Sequence, residues 1–294
     1  MGWDAVIGSA GSEDIAKGIA NSLGIGYASM EIIKFKDGEF KVRLGHGFGG
    51  KNLIFVHRLF PDPSQKMLEL IISCRAMKNE NAHVHAVLPY MSYARQDKEF
   101  VNGEVVTLRV LAQVLREAGV DEITTVDIHS AEGLKLFDMK VNNRSAMPVL
   151  AQYAKSLKLD NVLVASPDYG GIERSREFAR EIGAEAVAFE KFRDRNTGEI
   201  SMNDIDIDAS DKNVFVIDDM IATGGSIAKV STLLKKHGAK KVIAIATHGL
   251  LVDNAEERIL GAGADEIITT NTILNPHSKV DIAPLLYESL KKEA

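Results

Sequence analysis

Short runs of β-branched and other apolar residues recur along this chain, separated by longer amphipathic stretches. In order they read AVIG, NLIFVH, HVHAVLPY and EITTVDI, then NVLVAS, NVFVID, KVIAIAT and EIITTN. Runs this short without polar interruption suit strands buried on both faces of a sheet. Their alternation with helical stretches predicts an α/β fold with parallel sheets covered by helices. At 294 residues the chain exceeds one core of ordinary size, so two domains of similar length are expected.

The two halves also resemble each other. KNLIFVHR from Lys51 matches KNVFVIDD from Lys212, and AGVDEITT from Ala118 matches AGADEIIT from Ala262. KFKDGE from Lys34 matches KFRDRNTGE from Lys191, with three residues inserted. Two copies of one α/β unit account for these matches. The separation between copies changes because the first half carries extra residues around SYARQDKEFVNGEVVT. The helix AMPVLAQYAKSLK joins the halves and IAPLLYESLKK is its counterpart, so by symmetry the last helix should pack on the first domain. The expected domains are residues 1–142 with 281–294, and residues 143–280.

Composition narrows the function classes. The 45% hydrophobic and 26% charged fractions are those of an ordinary globular protein. A formal charge of −6 without a basic stripe argues against a nucleic-acid partner. The N-terminus lacks a basic region followed by a long apolar run, and no apolar stretch is long enough to span a bilayer, so no membrane partner and a cytoplasmic location are expected. The single cysteine, Cys74, lies in LELIISCRAMK and reads as a buried, inert thiol on a helix face.

The chemistry is concentrated in VFVIDDMIATGGSIAKV, from Val214. An uninterrupted strand runs into Asp218 and Asp219; then Thr223, Gly224, Gly225 and Ser226 open a helix that ends at Gly238. A glycine turn entering a helix aims unpaired N–H groups at one point, and the helix dipole adds positive potential there, so a phosphate fits. The two acids could satisfy turn amides, or accept hydrogen bonds from sugar hydroxyls at the carboxyl end of the strand. Adjacent acids would repel a phosphate unless a hydroxyl-bearing group lay between, as in a ribose carrying a 5-phosphate. The first half has His57, Arg58 and FPDPS at the matching place, so the anion loop exists once.

This stretch resembles the phosphoribosyl diphosphate (PRPP) binding motif. PYMSYARQDK (89–98), DIHS (127–130), FKDGE (35–39) and SPDYGG (166–171) resemble signatures of the ribose-phosphate diphosphokinase family, over nearly the whole chain. The resemblance is to the compact archaeal type and implies two duplicated phosphoribosyltransferase-like (type I) domains, each a mainly parallel sheet flanked by helices. It implies ATP as co-substrate, Mg2+ as cofactor, ribose 5-phosphate as acceptor, and a homo-oligomer whose active site is shared between subunits. In that comparison Asp218, Asp219, Ala222, Thr223, Gly224, Gly225 and Ser226 bind ribose 5-phosphate, while His129 and Asp168 contact the metal.

Other residues gain roles only through the resemblance. Lys191, Arg193 and Arg195 alternate, so an extended segment would place them on one side. By themselves they read as a solvated basic turn; the resemblance makes Lys191 and Arg193 catalytic cations of a closing loop, counts His129 with them as catalytic, and gives Arg195 to ATP. Arg95, Gln96 and Asp97 read as a surface insertion, and the resemblance assigns them, with His129, to ATP. Phe35, Asp37 and Glu39 correspond to adenine-binding positions contributed by an adjacent subunit. His57, His83, His85, His237, His248 and His277 read as structural. Many relatives have Asp at the position of Ala222 and Thr at that of Ser226, which implies changed ribose or activator contacts with the phosphate cradle retained. The alternatives are a phosphoribosyltransferase that consumes PRPP and a non-catalytic regulator associated with the synthetase.

Overall fold

The apolar runs form the strands of two parallel sheets. They are seen in a computed structural model that describes residues 2–45, 47–189, 191–193, 200–202 and 207–291. The chain divides into two compact units, Met1–Ser145 with Asp281–Ala294, and Ala146–Val280.

The first unit runs β1 (Ala5–Gly8), α1 (Glu13–Leu23), β2 (Gly26–Ser29), the hairpin β3 (Glu31–Lys34) and β4 (Phe40–Arg43), β5 (Asn52–Val56), α2 (Pro63–Asn79), β6 (His83–Leu88), α3 (Thr107–Glu117), β7 (Glu122–Val126), α4 (Ala131–Leu134) and β8 (Lys140–Arg144). Its sheet has the order β2-β1-β5-β6-β7-β8, and every neighbouring pair is parallel. Leu53, Ile54, Phe55 and Val56 of β5 are all buried, as a strand covered on both faces requires. Leu70 and Cys74 of α2 join Leu53, Phe55, Val84, Leu88 and Ile123 in the core. Burial pushes the Cys74 thiol far above its ordinary range, which leaves it inert.

The second unit begins with α5 (Met147–Ser156) and β9 (Val162–Ser166). It continues through α6 (Ile172–Ile182), β10 (Glu185–Ala188), the hairpin β11 (Lys191–Arg193) and β12 (Ile200–Met202), β13 (Asn213–Ile221) and α7 (Gly225–Lys236). It closes with β14 (Lys241–Gly249), α8 (Ala255–Gly261), β15 (Glu266–Thr270) and β16 (Ser278–Val280), after which α9 (Ala283–Lys291) belongs to the first unit. Its sheet order, β10-β9-β13-β14-β15-β16, repeats the first. Val214, Val216, Ile227, Val230, Leu234 and Val242 lie in its core.

The repeated sequences have matching structural work. In AGVDEITT, Asp121 accepts hydrogen bonds from Val84 N and Lys78 Nζ, both at 2.8 Å. In AGADEIIT, Asp265 accepts from Val242 N at 2.7 Å and Lys235 Nζ at 2.8 Å. Each acid ties the start of the neighbouring strand, β6 or β14, to the helix before that strand, α2 or α7, and its pairing holds the Asp265 carboxyl below the usual range despite the opposing effect of burial. The glycine two residues before each acid has positive φ, 96° at Gly119 and 101° at Gly263. Those glycines admit the Lys78 and Lys235 side chains, which would lie 2.5 and 2.8 Å from an added Cβ.

In the first unit α9 packs on α1 closely enough that a Cβ at Gly18 would lie 2.8 Å from that of Ala283. Trp3 donates from its indole to the Leu290 carbonyl at 3.2 Å and packs edge-on against His85. Gly18→Leu should therefore destabilise the protein by about 1–3 kcal/mol through overpacking. As Trp3 is the single tryptophan, urea unfolding followed by its emission reads the change; an unaltered midpoint would show that α1 and α9 separate without cost.

Candidate functional site

In a parallel sheet ordered this way, the chain reverses its lateral direction between β9 and β13, opening a crevice beyond their carboxyl ends. In the second unit the segments at that crevice are 167–171, after β9, and 222–225, after β13. The first carries Asp168, whose Oδ1 accepts from Gly171 N at 3.1 Å and shapes the turn into α6. The second is the glycine loop.

Gly224 is the N-cap of α7 with φ 74°, a conformation that disfavours side chains. A Cβ there would also lie 2.8 Å from Ile259 Cδ1 and 3.1 Å from Ala255 O, so the residue must be glycine for two independent reasons. Neighbours hold the loop from below: Val252 N donates to Ala222 O at 3.0 Å, and Arg258 donates to Thr223 O and, at 3.0 Å, to Asp253 O. Gly225 opens α7, Thr223 is exposed and Ser226 is half-buried. This anchoring leaves the N-terminal amides of α7 at the mouth of the crevice, the arrangement that receives a phosphate.

The acids do not follow the strand; they lie within it. β13 continues to Ile221, with Asp218 paired to Ala246 and Met220 to His248, while Asp219 is passed over in the ladder. The Asp219 side chain is 6% exposed and that of Asp218 is 26% exposed. Asp218 Oδ1 accepts from Asp219 N at 2.9 Å, the local amide contact that sequence allowed as one alternative. Burial, then the charge of Asp219, push the Asp218 carboxyl well above its ordinary value of 3.8. Arg174 on α6 opposes that shift, with Nη1 3.9 Å from Asp218 Oδ1 and 3.7 Å from Asp219 Oδ1.

Arg174 was not singled out by sequence, because IERSREFAR contains several arginines that look alike. One signal was available. Arg174 lies one helical turn before the buried Phe178, a cation beside the buried face formed by Ser175, Phe178 and Ala179. Arg258 gave no such signal, since it contacts backbone carbonyls, Thr223 O in a distant loop and Asp253 O nearby.

The crevice of the first unit is built differently. Arg58, at the position matching Asp219, is 3% exposed and makes a bidentate pair with Asp14 at 2.6 and 2.8 Å. Its guanidinium also donates to Gly11 O, and Arg58 N donates to Ser12 Oγ at 2.9 Å. A cation already fills this copy. His57 is fully buried, its Nε2 2.8 Å from Lys66 O, and burial pushes its imidazole down to about 4. His85 bonds Thr124 at 2.7 Å, and His248 bonds Thr272 at 3.0 Å.

The other predicted residues of the first unit lie at exposed tips. Phe35 is 47% exposed between β3 and β4, with Lys41 Nζ 5.7 Å from its ring centroid. Phe35 N donates to Glu39 O at 2.8 Å, and Glu39 N to Asp37 Oδ1 at 3.0 Å, which presents all three on one tight turn. Arg95 and Gln96 are exposed and Asp97 is half-buried in the insertion between β6 and α3. His129 is exposed after β7, where Ile128 N donates to Asn143 Oδ1 at 2.9 Å. In the second unit Lys191 and Arg193 belong to the extended backbone of β11, paired with Met202 and Ile200. Arg195 lies outside the described residues.

Among the described residues no three His, Cys, Asp or Glu side chains gather as a metal cluster. A hard divalent cation here would thus need substrate oxygens and water to complete its shell, the usual situation of magnesium held through one or two carboxylates. The Asp168 carboxylate suits that donor set. His129, a nitrogen donor, suits it less well.

A duplicated parallel fold with an acid pair and a glycine loop at one switch point defines a phosphoribosyltransferase-type α/β protein. Residues 141–277 match the phosphoribosyl transferase domain, and residues 5–119 match the N-terminal domain of ribose phosphate pyrophosphokinase. The chain belongs to the ribose-phosphate pyrophosphokinase family. It is 32% identical over 286 residues to the ribose-phosphate pyrophosphokinase of Sulfurisphaera tokodaii, covering 96% of this chain and 98% of that protein. The protein of the same name from Helicobacter hepaticus is 35% identical, with coverage of 93% and 90%. The crystal structure of phosphoribosylpyrophosphate synthetase from Mycobacterium smegmatis superposes with a TM-score of 0.87 at 30% identity, covering 99% of this chain and 98% of that one.

Two outcomes follow from the geometry. Gly224→Ala should cost about 1–3 kcal/mol in strain and overpacking and weaken phosphate-ligand binding, read by thermal unfolding and calorimetry. For Asp218, a raised folded-state pKa means a stability contribution fully present below pH 3.8 and lost as pH rises through the raised value. Asp218→Asn should therefore stabilise the protein at mildly alkaline pH by on the order of 1 kcal/mol. That gain should vanish in urea titrations below the ordinary carboxylate pKa.

Proposed function

We propose that this chain transfers the diphosphoryl group of ATP to the 1-hydroxyl of ribose 5-phosphate, giving 5-phosphoribosyl 1-diphosphate and AMP. The observation that carries this reading is the asymmetry of the repeats. The second unit keeps a glycine loop beside paired acids, whereas Arg58 fills the matching crevice of the first. One phosphorylated ribose per chain follows.

In this reading the amides of 223–226 hold the 5-phosphate while Asp218 and Asp219 accept from ribose hydroxyls. Orientation then presents the 1-oxygen to the β-phosphorus; that bond forms as the bond to the bridging oxygen of the departing AMP breaks. Positioning and charge supply most of the acceleration, so no nucleophilic side chain is required. Lys191 and Arg193 counter the charge that moves toward the leaving AMP. Arg95, Gln96, Asp97, His129 and Arg195 serve ATP, with Arg95 suited to phosphate by its fork of donors. The exposed ring of Phe35 offers a stacking surface for adenine, with Asp37 and Glu39 accepting from its exocyclic amine. These three come from a neighbouring subunit of a homo-oligomer, so a dissociated monomer should be inactive.

Magnesium, when bound, neutralises phosphate oxygens of the nucleotide. Asp168 would hold it, and His129 would contact it or the nucleotide phosphates. No described helix is long and apolar enough to cross a membrane; the cytoplasm is the expected compartment.

AMP release from ATP, dependent on ribose 5-phosphate and coupled to PRPP detection, tests the reaction; a phosphoribosyltransferase would instead consume PRPP. Lys191→Ala and Arg193→Ala should each lower kcat by roughly a thousandfold or more. Ribose 5-phosphate affinity should remain within about twofold, as expected for groups that act mainly in the transition state. Unchanged turnover in both variants would remove them from the chemistry.

A further inference from the structure

The adjacent acids of β13 raise a problem that the ribose reading leaves open. Two carboxylates on neighbouring residues, one buried and one partly so, repel each other, and burial opposes charge on both. Arg174 places a single guanidinium nitrogen between them, 3.9 Å from one and 3.7 Å from the other. Both separations are within ion-pair range but longer than a hydrogen bond. The cation therefore acts on the acids through charge.

The repeat supplies a comparison within the same chain. In the first unit the polarity is inverted: the acid, Asp14, is in the first turn of the helix and the arginine, Arg58, follows the strand. That pair closes at 2.6 and 2.8 Å in a bidentate clasp, which commits the carboxylate to the arginine. In the second unit the arginine is in the first turn of α6 and stands back from the acids. The stem of Arg174 is set by α6, whose next turn is fixed by the buried Phe178. At the turn before α6, a Cβ at Gly171 would lie 2.7 Å from Ser166 Oγ, and Arg174 Nη1 would be in ordinary contact with it at 3.8 Å.

We propose that Arg174 is a positioning residue for ribose recognition, holding Asp218 and Asp219 side by side through charge so that they can receive sugar hydroxyls. The proposal rests on the ribose 5-phosphate reading of this site. It assigns Arg174 no contact with ATP and none with the transferred group. Because Arg174 acts through the acids, its effect should disappear once an acid is removed. It should also matter most for a sugar with its full set of hydroxyls.

The test is a double-mutant cycle on the full-length protein. Affinity for ribose 5-phosphate, by calorimetry, and kcat/KM with ribose 5-phosphate and 2-deoxyribose 5-phosphate are compared for wild type, R174M, D219N and the double variant. R174M should weaken ribose 5-phosphate binding by on the order of tenfold, and the double variant should be within about twofold of D219N alone. R174M should also narrow the preference for ribose over 2-deoxyribose, while KM for ATP stays within about twofold. R174K, which retains the charge, should recover most of the affinity. Additive losses in the double variant, an unchanged sugar preference, an effect confined to ATP, or no recovery in R174K would overturn the role of Arg174. A D219N protein that binds ribose 5-phosphate as wild type would instead overturn the underlying ribose reading. R174Q takes the place of R174M if thermal unfolding shows that R174M is not folded.

Discussion

Two adjacent carboxylates within β13 are the constraint around which the second unit is organised. A strand buried in a parallel sheet is an unfavourable place for one charge, and a second charge beside it compounds the cost. The structure answers with a guanidinium from α6 and with departure of Asp219 from the ladder, not with hydrophobic replacement. Where a natural protein keeps like charges together against their repulsion, function is the usual reason. The glycine loop a few residues further on is subject to a related demand. Gly224 must turn with positive φ in a space that no side chain could share with Ile259. Acid pair and glycine loop are thus supplied by one continuous strand, loop and helix.

Duplication makes the meaning of these features easier to judge. Both units have the same strand order, the same aspartate clamp between sheet and helix, and glycine C-caps at Gly24 after α1 and Gly183 after α6. These shared devices hold up the fold. At the switch-point crevice the copies part, and the polarity of the helix-to-strand ion pair is reversed. A closed Arg58–Asp14 pair supports the first unit at the expense of a binding place. The wider Arg174 arrangement keeps two acids together at some cost to stability. One architecture thus carries a closed and an acid-lined version of the same crevice.

Much of this was legible in the sequence for a local reason. Uninterrupted apolar runs, glycine stops and the repeated AGVDEITT and AGADEIIT segments depend on neighbours close in sequence, so the α/β class and the duplication could be read directly. Among the described residues the main sheets are wholly parallel, and antiparallel pairing is confined to the two hairpins, β3 with β4 and β11 with β12. The acid pair and the glycine loop were likewise visible as a motif. Their placement was less so: the acids appeared to stand at the carboxyl end of the strand, yet pairing runs on to Ile221. Arg174, Arg258 and the Arg58–Asp14 pair escaped notice because each acts on residues dozens of positions away.

By itself, then, the order of residues determined the strands and helices, the presence of two copies, and which copy carries the acid pair and the glycine loop. Local backbone preference and burial of apolar stripes are enough for that. Tertiary structure alone decided which of the many surface-like arginines stands by the acids, how near it comes, and which crevice is closed. Electrostatic effects depend on distance and solvent exposure, and neither is recorded in sequence spacing until the sheet has brought α6 and β13 together.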